Sequence, residues 1–252
     1  MKKLHYIVGS LILTAFGYLG YQHYSKSVLY KSEVGPAQTA STSVPEVIQL
    51  ISPLSTTTRY YDFAYQVPVD NQVAASIIKT AADAWLKETN IQSVTNDKQA
   101  ENDFGIFKDS KYQYDSKYEE KENGDYITYL ETIFSFTGGA HPSTVVSSYT
   151  FSKKDRNKEI KIADIYADGA YKILSDYSRK TMPSLLAKKG IKVSDMQDMF
   201  DAGTTPDKAN WQTFYFKDNY IYFVFNQYQI GPYSIGIHEI AVPLPKLVQY
   251  KK

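Results

Sequence analysis

From residue 59 onward, short runs of alternating apolar and polar residues are broken by Gly, Pro and Asn. Arg59 to Pro68 predicts a strand ended by proline. Asp70 or Asn71 can cap a helix running to about Thr89, whose expected buried stripe is Val73, Ile77, Ala81, Ala84 and Trp85. A polar break from Asn90 to Asp103 follows. Then Tyr112, Tyr114 and Tyr118 share one face of a strand, while Gln113, Asp115, Lys117 and Glu119 face the other way. Asn123-Gly124 supplies hairpin turn residues, and Tyr126 to Thr137 returns as the second strand. After Gly138-Gly139-Ala140-His141-Pro142, Thr144 to Ser152 makes a third, which turns at Asp155 to Lys158 into Ile160-Lys161-Ile162.

The period then changes. Ile162 to Ala170 leads into a second helix with Tyr171, Leu174, Tyr177 and Met182 inward, kinked or restarted at Pro183 and ended by Gly190. Ser194 is placed to cap a short helix carrying Met196, Met199 and Phe200. Trp211 to Phe216 and Tyr220 to Phe225 flank a tight turn near Asp218-Asn219. Ile237 to Val242 follows a Gly/Pro loop, and Leu244 and Leu247 pack a short tail. The order β-α-β-β-β-α-α-β-β-β predicts an α+β fold, antiparallel sheet with helices on one face.

Ahead of this lies Met1-Lys2-Lys3 and then an 18-residue apolar run, Leu4 to Tyr21. At about 1.5 Å per residue it reaches roughly 27 Å, close to a bilayer core. The lysines orient the N-terminus inside, and Tyr18, Tyr21 and Tyr24 suit an outer aromatic belt. The reading is a single-pass anchor (1–24, spanning through 4–21) with an extracytoplasmic domain. The alternative is a signal peptide cleaved near Leu13-Thr14-Ala15, which leaves a secreted or periplasmic protein. A Ser/Thr/Pro-containing tether (25–57) follows, its end docking on the domain. Beyond it come a small α+β companion subdomain (58–125) and a C-terminal α+β domain (126–252).

Composition removes whole classes of chemistry. With no Cys there are no disulfides, thiolate metal sites or thiol nucleophiles. Setting aside Lys2, Lys3, Lys26, Lys31 and Glu33 leaves 24 basic and 26 acidic residues, so no basic field suits nucleic acid. Of four His, His5 and His23 lie in or beside the membrane run. His238-Glu239 opens like a zinc-protease motif, but Val242 stands where the second His is needed and the segment reads as a strand. In Gly231-Pro232-Tyr233-Ser234 two residues separate Gly from Ser, where a nucleophile elbow has one. No catalytic constellation, metal site or cofactor fingerprint emerges, and the chain reads as a non-enzyme.

The candidates that remain sit in two loops. His141 is either a turn residue bonding a backbone carbonyl or a surface ligand contact. Tyr228 and Tyr233 divide similarly, one hydroxyl anchoring the loop and the other exposed. Gly138, Gly139, Gly231, Pro232 and Gly236 read as structural loop residues.

The run Tyr228-Gln229-Ile230-Gly231-Pro232-Tyr233-Ser234-Ile235-Gly236 belongs to a wider pattern. With Gly138-Gly139-Ala140-His141, Ile162-Ala163-Asp164-Ile165-Tyr166 and the Trp211 to Phe225 hairpin, it resembles the bacterial family DUF3298 over roughly Tyr126 to Leu247. Arg59 to Lys121 looks like the companion domain that often precedes it. The family includes the outer part of a lysozyme-binding anti-sigma factor and domains accompanying some peptidoglycan deacetylases. The resemblance therefore implies an envelope module that binds a protein (lysozyme-like) or peptidoglycan ligand. Sigma-factor sequestration is not expected, since three residues precede the apolar run, nor is a separate deacetylase domain. Two rival functions stay open: hydrolysis of wall polymer through unrecognised carboxylates, and a structural role with a permanent membrane partner.

Overall fold

A computed structural model describes residues 54–58, 61–89, 111–138 and 140–252. The expected anchor, most of the tether, Arg59-Tyr60, the polar break and Gly139 lie outside the described residues. Among the described residues, no helix is long and apolar enough to cross a membrane.

The first half forms one sheet of six strands in sequence order: β1 (Leu54–Thr57), β2 (Tyr61–Tyr65), β3 (Tyr112–Asn123), β4 (Tyr126–Phe136), β5 (Ser143–Ser152) and β6 (Glu159–Ile160). β1 falls within the span read as tether, yet it pairs antiparallel with β2 from Leu54↔Tyr65 to Thr57↔Asp62. The expected antiparallel arrangement holds for four of the five pairings in this sheet. β2 and β3 run parallel in register Phe63↔Tyr114, so the sheet is mixed. A parallel pair needs a crossover, and helix α1 (Gln72–Glu88) lies within it. α1 starts where Asn71 accepts from the Ala74 amide at 3.0 Å. Its buried line is Ala74, Ala75, Ile78 and Ala82, rotated from the expected stripe, while Val73, Ile77 and Trp85 pack only partly buried at its margins. Apolar residues cover a wide arc of α1, and the side with small alanines allows the closest approach to the sheet.

The two faces of this sheet have different cover. Opposed residues such as Tyr118↔Glu131 and Tyr129↔Tyr149 share a face. That face carries Phe63, Tyr114, Ile127, Tyr129 and Phe151 beneath α1. On the other face, Leu130 and Val146 meet Tyr215, Tyr222 and Val224 of a second sheet, and Ile237 just before its last strand. This second sheet is antiparallel: β7 (Phe214–Lys217), β8 (Tyr220–Phe225) and β9 (His238–Pro243).

The far face of the second sheet holds the main core. Phe214, Phe216, Ile221, Phe223, Phe225, Ile240 and Val242 pack there with Trp211 and with Leu174, Met182 and Leu186. The last three come from a long helix that follows the short turn α2 (Ile162–Ile165). This helix, α3 (Gly169–Ala187), keeps Pro183 inside it. Helices therefore back each sheet from outside, whereas a single helical face was expected. Two local expectations also change. Trp211 belongs to a 3-10 turn, Lys208–Trp211, and strand β7 starts only at Phe214. Ser194 does not cap α4 (Gln197–Gly203); its hydroxyl bonds Asp195, and Met196 holds the cap position. Residues 125 and 126 lie where the β3–β4 hairpin turns.

Candidate functional site

The β4–β5 loop and the β8–β9 loop, 87 residues apart at their contact, meet beside the free edge of β5. That edge would otherwise expose unpaired backbone groups. Asn226, the first residue after β8, accepts from the Val146 amide at 2.7 Å and donates to the Val146 carbonyl at 2.9 Å. Gln227 accepts from the Thr144 amide at 3.0 Å. Gln229 turns back, accepting from the Asn226 amide at 3.1 Å and donating to the Asn210 carbonyl at 3.0 Å. Amide side chains suit this work because each can both donate and accept.

Two glycines bring backbone into contact around the loop. A Cβ on Gly203, at the end of α4, would lie 1.9 Å from the Gln229 carbonyl oxygen. A Cβ on Gly231 would lie 2.3 Å from Met196 Sδ and 2.6 Å from Ile235 Cδ1. Pro232 precedes a 3-10 turn over Tyr233–Ile235, which ends at Gly236 with φ 77°. Buried His238 braces this turn, its Nε2 donating to the Ile235 carbonyl at 2.8 Å. Burial, with Lys189 nearby, holds its imidazole below the ordinary range.

On this frame the three candidate side chains converge. The Tyr233 ring stacks on His141 with centroids 3.7 Å apart and planes at 19°. The Tyr228 hydroxyl lies 3.1 Å from His141 Nε2, and its ring is 6.0 Å from that of Tyr233. His141 Nδ1 is 3.0 Å from the Pro142 carbonyl, which can only accept, so Nδ1 carries the proton. In the neutral ring Nε2 is then the acceptor, and Tyr228 donates to it. His141 thus bonds a carbonyl, as a turn residue does, and its ring lies exposed. Tyr228 is the anchored hydroxyl, although 41% of the residue is exposed. It is also held at φ 65°, one of two non-glycine residues at positive φ among the described residues. For a tyrosine that conformation is strained, and such strain concentrates at functional sites. Gly138, at φ 84°, flanks the loop beneath Tyr112; Gly139 lies outside the described residues.

Carboxylates converge elsewhere only weakly. Asp62 and Asp115 line a concavity of about 340 Å³ with Gln113 and Phe134, but Lys111 pairs with Asp62 at 3.1 Å and Lys117 with Asp115 at 2.7 Å. Glu131 is fully buried, accepting from Ser116 and, at 2.8 Å, from the Tyr149 hydroxyl. Burial raises its pKa. No group of three or more His, Asp or Glu able to hold a metal occurs among the described residues.

Sequence reasoning named the three rings but missed the residues that join them. The amide-rich run Asn226-Gln227-Tyr228-Gln229 directly after a strand was the available signal. Gly203 gave none.

Residues 163–244 match the model described as Protein of unknown function (DUF3298). Over this segment the chain is similar to the DUF3298 family. Part of the chain is also 32% identical over 115 residues to peptidoglycan-N-acetylmuramic acid deacetylase PdaC of Bacillus subtilis (strain 168). That alignment takes in 43% of this chain and 22% of the relative, so the chain spans about a fifth of the relative's length. Two solved DUF3298 structures share the fold. One, from Bacteroides fragilis, has a TM-score of 0.55 at 19% identity and covers 79% of this chain and 91% of its own. The other, from Pseudomonas aeruginosa PAO1, has a TM-score of 0.53 at 17% identity, with 80% and 93% covered. Both matches reach beyond residues 163–244, since each covers about four fifths of this chain.

Proposed function

We propose that this protein is a non-catalytic recognition module of the bacterial cell envelope. It engages a wall-associated ligand, peptidoglycan or a protein acting on it, through His141, Tyr228 and Tyr233. The observation that carries this reading is the convergence of three rings from two loops on one exposed spot, fixed by a clamp of amide side chains. Rigid aromatic loops on a sheet scaffold serve binding, because little freedom is lost when the ligand docks. The peptidoglycan-related name of the Bacillus subtilis relative supports the choice of compartment and ligand. So does the apolar run 4–21, read as an anchor holding the domain outside the membrane.

The test is a pull-down of the full chain, in detergent, on insoluble peptidoglycan and separately on immobilised lysozyme. Saturable retention on either, lost in Tyr233→Ala, is the expected result. Retention on neither sinks the reading. A hydrolase reading is favoured only by the Asp62–Asp115 concavity. It predicts release of soluble wall fragments that stops in Asp62→Asn or Asp115→Asn.

A further inference from the structure

We infer that the His141–Tyr228–Tyr233 cluster is a glycan subsite, shaped for the flat face of an uncharged pyranose ring. This rests on the recognition reading above and narrows it to one ligand class. The argument starts from charge. Residues 137–144 and 226–237, which build the whole cluster, contain no Asp, Glu, Lys or Arg. A phosphate, an acidic peptide or a basic protein surface finds no complementary charge there, and charge complementarity is what gives such partners their specificity and on-rate.

What the cluster does offer is π surface with hydroxyl edges. Tyr233 and His141 form one stacked unit, and Tyr228 stands 6.0 Å from Tyr233 with its plane at 41°. The result is an angled pair of aromatic surfaces. The axial C–H groups of a pyranose, polarised by the ring oxygens, suit the negative face of such a π system. The sugar's equatorial hydroxyls need hydrogen-bond partners at the rim. Tyr228 Oη donates to His141 Nε2 and so keeps its lone pairs as acceptors. The Tyr233 hydroxyl makes no hydrogen bond among the described residues and can both donate and accept. Asn226 and Gln229 use both ends of their amides on backbone groups, and Gln227 uses its Oε1, which leaves its amide N–H donors for the rim.

The backbone supplies the second, independent observation. Tyr228 sits at φ 65°, where glycine would be unstrained, and no core packing requires its ring: it is among the exposed large hydrophobic residues. A position that pays strain to keep an exposed aromatic ring is explained by a ligand that uses the ring.

The experiment is calorimetric titration of the full chain in detergent with a β-1,4-linked N-acetylglucosamine tetramer, an uncharged pyranose chain. Insoluble peptidoglycan and lysozyme are run as separate arms. The tetramer should bind saturably, and Tyr233→Leu and Tyr228→Gly should each weaken it at least tenfold while the melting temperature falls by no more than about 4 °C. Tetramer binding that ignores both substitutions overturns the subsite. So does Tyr228-dependent binding of lysozyme with none of the tetramer, but that outcome leaves the recognition reading standing. No binding in any arm overturns both.

Discussion

Two aromatic stacks in this molecule look alike and are held in opposite ways. Tyr215 and Tyr222 stack with centroids 4.8 Å apart and planes at 8°. They lie directly opposite on β7 and β8, so ladder register alone sets their distance. The Tyr215 hydroxyl donates to Glu239 at 3.0 Å, and the residue is buried. Tyr233 on His141 is closer still, but no ladder joins the two. Their loops are held by amide side chains, by Gly203 and Gly231 in tight contact, and by a tyrosine at positive φ. The strand pair is where regular structure puts it. The loop pair is assembled against local preference and left exposed, and the difference separates a stack placed by strand register from one placed by loop contacts.

The largest test of the contrast removes one ring from each stack. Tyr215→Ala should cost about 3–5 kcal/mol, as for other buried aromatic truncations, because the junction between the sheets loses its filler. Tyr233→Ala should cost about 1 kcal/mol or less, as expected of a partly exposed side chain. Urea unfolding of both variants measures this. Equal losses would mean that the loop stack is core in all but exposure.

Next in size is Gly203→Ala. The new Cβ would meet the Gln229 backbone, not a flexible side-chain end, so α4 or the loop must move. About 1–3 kcal/mol of destabilisation is expected. The Tyr228–His141 contact should be disturbed while the Tyr215–Tyr222 stack is untouched. Ring-proton NMR shifts at the two sites would tell them apart.

A third contrast tests how the strands tolerate a polar group, and it is smaller because Gln keeps the shape of Glu and can still bond both hydroxyls, accepting from one and donating to the other. Glu131 is buried in β4, and burial raises its pKa in the folded state. A folded acid whose pKa is raised holds its proton more tightly than the unfolded chain does. Its favourable contribution is therefore full below the unfolded carboxyl pKa and is lost as pH rises above it. Glu131→Gln should match the native protein near pH 4 and exceed it at pH 8. Urea midpoints at the two pH values decide this, and a gap that closes with rising pH would contradict it.

How much of this was legible in the sequence follows from the range of each interaction. The Asn71 cap, the Tyr112–Phe136 hairpin and strand β8 depend on neighbours in sequence, and alternation and turn residues marked them. The parallel pairing of β2 with β3 joins residues about fifty positions apart, as in Phe63↔Tyr114, and a period of two carries no information about the partner. The stripe of α1 was misplaced because apolar residues surround too much of that helix to single out one line. At the candidate site, the Gly/Pro loops identified His141, Tyr228 and Tyr233 one by one. Their meeting depends on Asn226 reaching Val146 and on Gly203 admitting Gln229, contacts that no local pattern encodes.

The smallest effect is the most telling. Tyr228→Gly removes a side chain from a backbone position at φ 65° that glycine adopts freely. The bond to His141 is lost, but at an exposed site such a bond contributes only about 0.5–1.5 kcal/mol. Relief of the strained φ offsets it by about 1 kcal/mol. The variant should therefore match the native stability to within about 1 kcal/mol, or exceed it, while losing the ligand. The corresponding Tyr222→Gly, in a strand, should lose stability, since glycine there gives up packing and adds backbone entropy to the unfolded chain. If Tyr228→Gly instead unfolds the domain as readily as Tyr222→Gly, the loop tyrosine is a structural residue. The separation between the two stacks would then be one of exposure alone.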